Sequence, residues 1–248
     1  MSRGQGYWAV RTYEAGRVGE KIKFWVPGEK PAGRLTRKQK SDIRKAAQNE
    51  YSAERQLARL INANFGPGDW FLGLDYSEEG LARVLRKAGT EEMDRVREAA
   101  ARELVNCIRR VKRELEREGI ELRYVAITSD MDGETGEAVR VHHHLVINRA
   151  ARNAFVHKWQ DLGYGGVSWS PLSDQDDYWD IAVYLMKQVR SSVPMANRYT
   201  SSRNLVRPQP KDRVVSSAAE VRVPKGCRLL VRKEYRVGQA QYIRYRIE

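Results

Sequence analysis

Three histidines stand in a row in "VRVHHHLVIN" (140–149), in a chain of 248 residues that has four histidines in all. The segment reads as a strand, and a strand turns successive side chains to opposite faces. His142 and His144 then share one face. His143 points the other way, with Val141, Leu145 and Ile147, towards an apolar layer. Two imidazoles at i and i+2 bring their nitrogens close enough to hold one cation, and histidine is the commonest protein metal ligand at neutral pH. The plainer alternative is an exposed histidine pair on a sheet face. Two of four histidines at strand spacing, beside an acidic turn, favour the ligand pair. That turn, "SDMDGETGEA", offers Asp130, Asp132, Glu134 and Glu137. Asp130 ends the strand that pairs with the histidine strand and is the expected carboxylate ligand. "DMDGETGE" is too short for an EF-hand calcium loop and reads as a polar Asp-Gly turn.

A second group with chemistry lies in "DYWDIAVYLMKQVR" (177–190). At about 100° per residue, Trp179, Ala182, Val183, Met186 and Val189 form an inward apolar side. Tyr184 falls opposite, with Lys187, and Asp180 and Gln188 flank it. A surface tyrosine on an amphipathic helix is the plain reading of this pattern alone. Beside a metal site it gains another. A tyrosine can attack a phosphodiester if its proton is removed and the charge developing on phosphate is stabilised. A divalent cation stabilises that charge, and a nearby lysine can lower the phenol pKa or steady the phosphate.

The elements that must position these residues alternate between strands and helices. Residues 7–26 read as a hairpin around Gly16 and Gly19, followed by a Pro- and Gly-marked loop. A basic amphipathic helix is expected from Thr36, its N-cap, to Phe65. "WFLGLDY" (70–76) is a short apolar strand, 78–88 a helix, and Thr90 caps a longer helix to about Arg117. "ELRYVAIT" and the histidine strand make a hairpin. Residues 150–162 are helical, "GGVSWSPL" is extended, and 176–190 is the tyrosine helix. "MANRYTSSRNLVRPQPKDR" reads as loop. The last segment, from Cys227, is a closing hairpin across Gly238 that can pair with the first. The expected organisation is an N-terminal hairpin and basic helix (1–64), a core (65–205), and a C-terminal linker and hairpin (206–248).

Composition narrows the partner. Hydrophobic residues make up 41%, enough for a sizeable core, and the net charge is +13 with a pI near 9.8. Such a balance favours a polyanion, because each neutralised phosphate releases counterions. No apolar run reaches the length that spans a bilayer, so no membrane partner is expected. The first residues carry no signal-peptide pattern, which points to the cytoplasm. Cys107 and Cys227 lack metal-ligand spacing and read as free thiols. No G-x-x-x-x-G-K-[ST] sequence is present, so no P-loop ATPase is expected.

Taken in order, the strand "FLGLDY", the strand "VHHHLVI" and the helix "VYLMK" resemble the HUH endonucleases. More closely they resemble rolling-circle replication initiators of phages and plasmids. The tyrosine follows the histidines by about forty residues, the initiator order, whereas in relaxases it precedes them. "RLINANFGPGDWFLGLDY" and "RYTSSRNLVRP" are similar to phage-type replication proteins, and the resemblance covers about residues 55–208. It implies an α+β fold, a central antiparallel sheet of about five strands with packed helices (an RRM-like palm), extended at both termini. It implies Tyr184 as a single nucleophile, with Gln188 standing where a second tyrosine would fall, and Lys187 as the motif lysine. His142 and His144 become ligands of Mg²⁺ or Mn²⁺, with an acidic or amide third ligand near the preceding strand's end, where Ser129 and Asp130 stand. The implied partners are single-stranded and origin DNA, with a host helicase and DNA polymerase, in the cytoplasm of a bacterial host. Two rival readings are a non-catalytic sequence-specific DNA-binding protein and an HUH transposase or mobilisation protein.

Overall fold

The computed structural model describes residues 5–33, 36–46, 53–189, 198–217, 219–235 and 240–248. The chain is α+β and divides into two compact units. One unit is built from residues 1–63, 176–178 and 206–248, the other from 64–175 and 179–205. Each contains one five-stranded antiparallel sheet. The expected five-stranded sheet with helices is the second of these. The two terminal extensions are not independent of each other: they interleave to make the first.

In the terminal unit, β1 (Gly6–Ala15) and β2 (Val18–Pro27) form the opening hairpin. Two helices follow, α1 (Arg37–Ala46) and α2 (Ala53–Asn64). The sequence pattern suggested one helix here; the junction lies outside the described residues. Thr36 does cap α1: its hydroxyl accepts the Gln39 N–H, and the Gln39 amide oxygen accepts the Thr36 N–H, a reciprocal capping box. On α2, Arg59 forms a buried ion pair with Glu20 at 2.6 Å and lies 3.6 Å over the Tyr13 ring.

The remaining strands of this unit come from the far end of the chain. The stretch expected to be loop supplies β8 (Lys211–Val215) beside β1, fixed by the Arg11–Asp212 ion pair. The closing strands are β9 (Cys227–Tyr235) and β10 (Ala240–Ile247), and β10 pairs with β2. Their turn at Gly238 lies outside the described residues. The strand order is β8-β1-β2-β10-β9.

The second unit has the order β6-β3-β5-β4-β7. Its strands are β3 (Trp70–Asp75), β4 (Tyr124–Met131), β5 (Ala138–Ile147), β6 (Val167–Pro171) and the short β7 (Thr200–Ser201). The helices are α3 (Glu78–Ala88), α4 (Met93–Arg117), α5 (Arg152–Asp161) and α6 (Trp179–Lys187). Ser77 caps α3 through its hydroxyl, and Gly89 closes it in the left-handed conformation. Thr90 does not cap α4 as its position suggested. It accepts the Glu92 N–H in the turn before it.

One face of this sheet carries Leu72, Leu74, Ala126, Val141, Leu145 and Ile147 in a single core with α3, α4 and α5. Val96, Ala100, Leu104, Cys107, Val111 and Leu115 keep one side of α4 on that layer. His143 joins it, fully buried. Its Nε2 lies 2.9 Å from the Tyr76 hydroxyl and its Nδ1 2.9 Å from the Thr128 hydroxyl. Tyr76 and Trp159 pack edge-on against its ring. Burial first, and the neighbouring His142 and His144 second, push its pKa down to about 3. The ring is therefore neutral, with one nitrogen donating and one accepting. Among the described residues no helix is long and apolar enough to cross a membrane.

Replacing His143 with leucine removes the partner of the buried Tyr76 hydroxyl, which keeps only a 3.5 Å contact to the Ala100 carbonyl, and of the half-buried Thr128 hydroxyl. At about 1–3 kcal/mol for an unsatisfied buried group, His143→Leu is expected to lower unfolding free energy by about that amount in urea melts.

Candidate metal and tyrosine site

Strand parity decides what the opposite face of the second sheet presents. His142 and His144 lie on it, with ring centroids 4.9 Å apart. Across β3 they stand opposite Asp75 and Gly73, and across β4 opposite Ser129 and Ile127. Gly73 makes room for the Ser168 hydroxyl beside His144. A β-carbon there would sit 3.9 Å from the His144 ring and 2.5 Å from the Ser168 hydroxyl.

Helix α6 spans this row. The Tyr184 ring lies 5.5 Å from His144 and 5.9 Å from Phe71, edge-on to both, and Phe71 stacks on His144 at 5.4 Å. Just past the end of the helix, the Gln188 amide oxygen is 3.0 Å from His142 Nε2. The Gln188 carbonyl is pinned by the Ser129 hydroxyl at 2.7 Å. Tyr184 is 37% exposed, whereas Gln188 is 1% exposed. The helix therefore buries Ala182, Leu185, Met186 and Gln188. Helical periodicity alone places Gln188 beside the outward face and leaves Leu185 out of the inward one. Hydropathy ranks glutamine as outward, and only its hydrogen-bonding surroundings reverse that. Lys187 is exposed, one helical turn beyond Tyr184.

Asp130 is elsewhere. The register of β4 against β5 shifts between Ser129 and Met131. Asp130 is buried, 1% exposed, and its carboxylate meets Arg97 of α4 at 3.5 Å. Ser129, not Asp130, lies on the histidine face. Among the described residues no three His, Cys, Asp or Glu side chains gather closely enough to hold a metal ion. Asp75 does not complete such a group either, although it stands opposite His142.

The donors that do gather are His142, His144 and the Gln188 carboxamide. His142 Nδ1 lies 2.9 Å from the Arg140 carbonyl and so donates to it. His142 Nε2 lies 3.0 Å from the Gln188 amide oxygen. A ligating histidine commonly donates its other N–H to a carbonyl, as Nδ1 does here. Among the described residues His144 Nδ1 and Gln188 Nε2 find no hydrogen-bond partner, although the Gln188 side chain lies near enough to His144 to act on its pKa through a hydrogen bond. Burial, then the nearby His142, lower the pKa of His144 to about 4 against a raising contribution from Gln188. His144 is therefore neutral at pH 7, the state a metal ligand needs. The residues present fit a divalent cation, and a mixed imidazole and carbonyl set suits Mn²⁺ better than Mg²⁺.

A scan against protein-family models finds no match, and searches of curated proteins and of solved structures find none either. The functional reading therefore rests on the residues and their arrangement.

If this trio binds Mn²⁺, the ion raises the melting temperature, by the equivalent of about 2.7 kcal/mol at a hundredfold excess over Kd. Differential scanning fluorimetry is expected to show that rise in the wild-type protein. It is expected to vanish in His142→Ala, His144→Ala and Gln188→Ala. Asp130→Asn should melt earlier yet keep the Mn²⁺-dependent rise.

Proposed function

We propose that the chain is a metal-dependent nickase and strand transferase for single-stranded DNA, an HUH-type initiator of rolling-circle replication. The observation that supports this most is the seating of Tyr184 against His144, on the helix whose end brings Gln188 to His142. A tyrosine and a potential cation site thus meet on one sheet face, in a chain with net charge +13.

His142, His144 and Gln188 are the residues that would hold Mg²⁺ or Mn²⁺. When bound, the ion would polarise a phosphoryl oxygen and offset charge developing in the transition state. Tyr184 gives its phenolic proton to solvent and attacks phosphorus in line. The bond from phosphorus to the 3′ oxygen breaks, and that oxygen leaves with the electron pair and takes a proton from water. The strand is left joined through its 5′-phosphate to Tyr184, with a free 3′-OH that can prime a polymerase. Rejoining reverses the step: a 3′-OH attacks the phosphotyrosine and the phenol is restored. Lys187 adds positive charge near the phosphate, and the wider excess of Lys and Arg holds the DNA backbone. In this reading a helicase of the bacterial host separates the strands, and the protein acts in that host's cytoplasm.

The test uses single-stranded oligonucleotides tiled across the DNA around the encoding gene, incubated with Mn²⁺ or EDTA and run on denaturing gels. A slow protein–DNA band that needs metal is expected, and it should be lost in Tyr184→Phe. Lys187→Ala should slow its formation by about tenfold to a hundredfold. Binding without cleavage for every tile and metal would favour a non-catalytic DNA-binding protein instead.

A further inference from the structure

A groove with a volume of about 320 Å³ opens beside Tyr184, on the side away from Gln188. Its walls include Phe71, Pro171, Ile181 and Tyr184, and its polar rim includes Ser170 and Asp180. Phe71 is shared: the ring that stacks on His144 also lines the groove. The groove is thus continuous with the row formed by His142, His144 and Tyr184. Its volume is at the low end of small-molecule sites, roughly 300–1,000 Å³, which suits one nucleotide unit rather than a length of strand.

The chemistry of the lining separates base from backbone. Aromatic and aliphatic walls suit the flat face of a nucleobase, and each base stacked on an aromatic ring contributes about 1–3 kcal/mol. Asp180, in the first turn of α6, is exposed and makes no ion pair or side-chain hydrogen bond among the described residues. Its negative charge disfavours a phosphate at the rim, and a carboxylate only accepts hydrogen bonds. The partner it fits best presents two N–H groups side by side. Guanine does so on its Watson–Crick edge, through N1–H and the N2 amine. Adenine, cytosine and thymine each offer a carboxylate only one such donor position on that edge.

We infer that this groove is a base-reading subsite that takes a guanine flanking the scissile phosphate, with Asp180 accepting from N1–H and N2–H. The inference rests on the proposed action on single-stranded DNA and adds a sequence preference to it. Asp180 acts here as a specificity residue and takes no part in the chemical step.

Fluorescence anisotropy in EDTA, where no metal-dependent cleavage intervenes, separates the two claims. The probes are labelled short oligothymidylates, unsubstituted or carrying one central dG, dA or dC. The dG strand is expected to bind about tenfold more tightly than the others, the lower part of what a bidentate contact to a base contributes. Asp180→Asn should cut that preference below about twofold without weakening binding to oligothymidylate, and Asp180→Glu should restore part of it. Circular dichroism checks that both variants fold. Equal affinity for all four strands, no binding to any, or a guanine preference that survives in Asp180→Asn would overturn the inference. A protein that nicks but reads no base loses only this subsite. A protein that reads guanine through Asp180 but never nicks loses only the nuclease reading.

Discussion

The alternation of side chains along β5 is the constraint on which the rest of the second unit depends. Three adjacent histidines cannot all face one way on a strand. The middle ring goes into the helix-covered core, where Tyr76 and Thr128 satisfy both its nitrogens. The outer two go to the other face, where α6 delivers Tyr184 and, just past its end, Gln188. A slip of one residue in register would exchange these roles, placing two histidines in an apolar layer and one alone on the face that meets Tyr184. The buried hydrogen bonds of His143 therefore fix more than the core. They hold the register that sets His142 and His144 side by side.

The same parity accounts for both what is legible in the sequence and what is not. The outward pair and the inward His143 follow from a period of two, and the β3, β5 and α6 segments follow from short apolar runs and helical spacing. Asp130 fails by the same parity: Ser129 shares the histidine face, so the next residue turns to the helix-covered side and its carboxylate meets Arg97. Gln188 is missed for a different reason. A polar residue at a helix end reads as solvent-facing until its neighbours are known. The signal that could have found it is spacing, since Gln188 is one turn beyond Tyr184 as His142 is one alternation before His144. The interleaving of chain ends in the first sheet is partly visible, as two hairpins that can pair. The strand β8 is hidden in a stretch whose prolines and serines read as loop.

Replacing an expected carboxylate with a carboxamide changes the electrostatics of the candidate site. Two neutral imidazoles and an amide oxygen bring no negative charge, so a bound dication keeps its full charge for an anionic ligand. A phosphodiester is such a ligand, and the net charge of +13 favours its approach. Asp75 and Asp180 then stand out as carboxylates on the histidine face and beside Tyr184. Neither gathers with the histidine pair into a metal-binding group.

The central claim is that one cation is shared by His142, His144 and Gln188 beneath Tyr184. The most direct measurement is an anomalous difference map from crystals of the full chain soaked with Mn²⁺, collected near the manganese edge. The expected result is a single strong peak bonded to His142 Nε2, a ring nitrogen of His144 and Gln188 Oε1. A peak on Asp130 or on the acidic turn, or none near the histidine pair at saturating Mn²⁺, would contradict it.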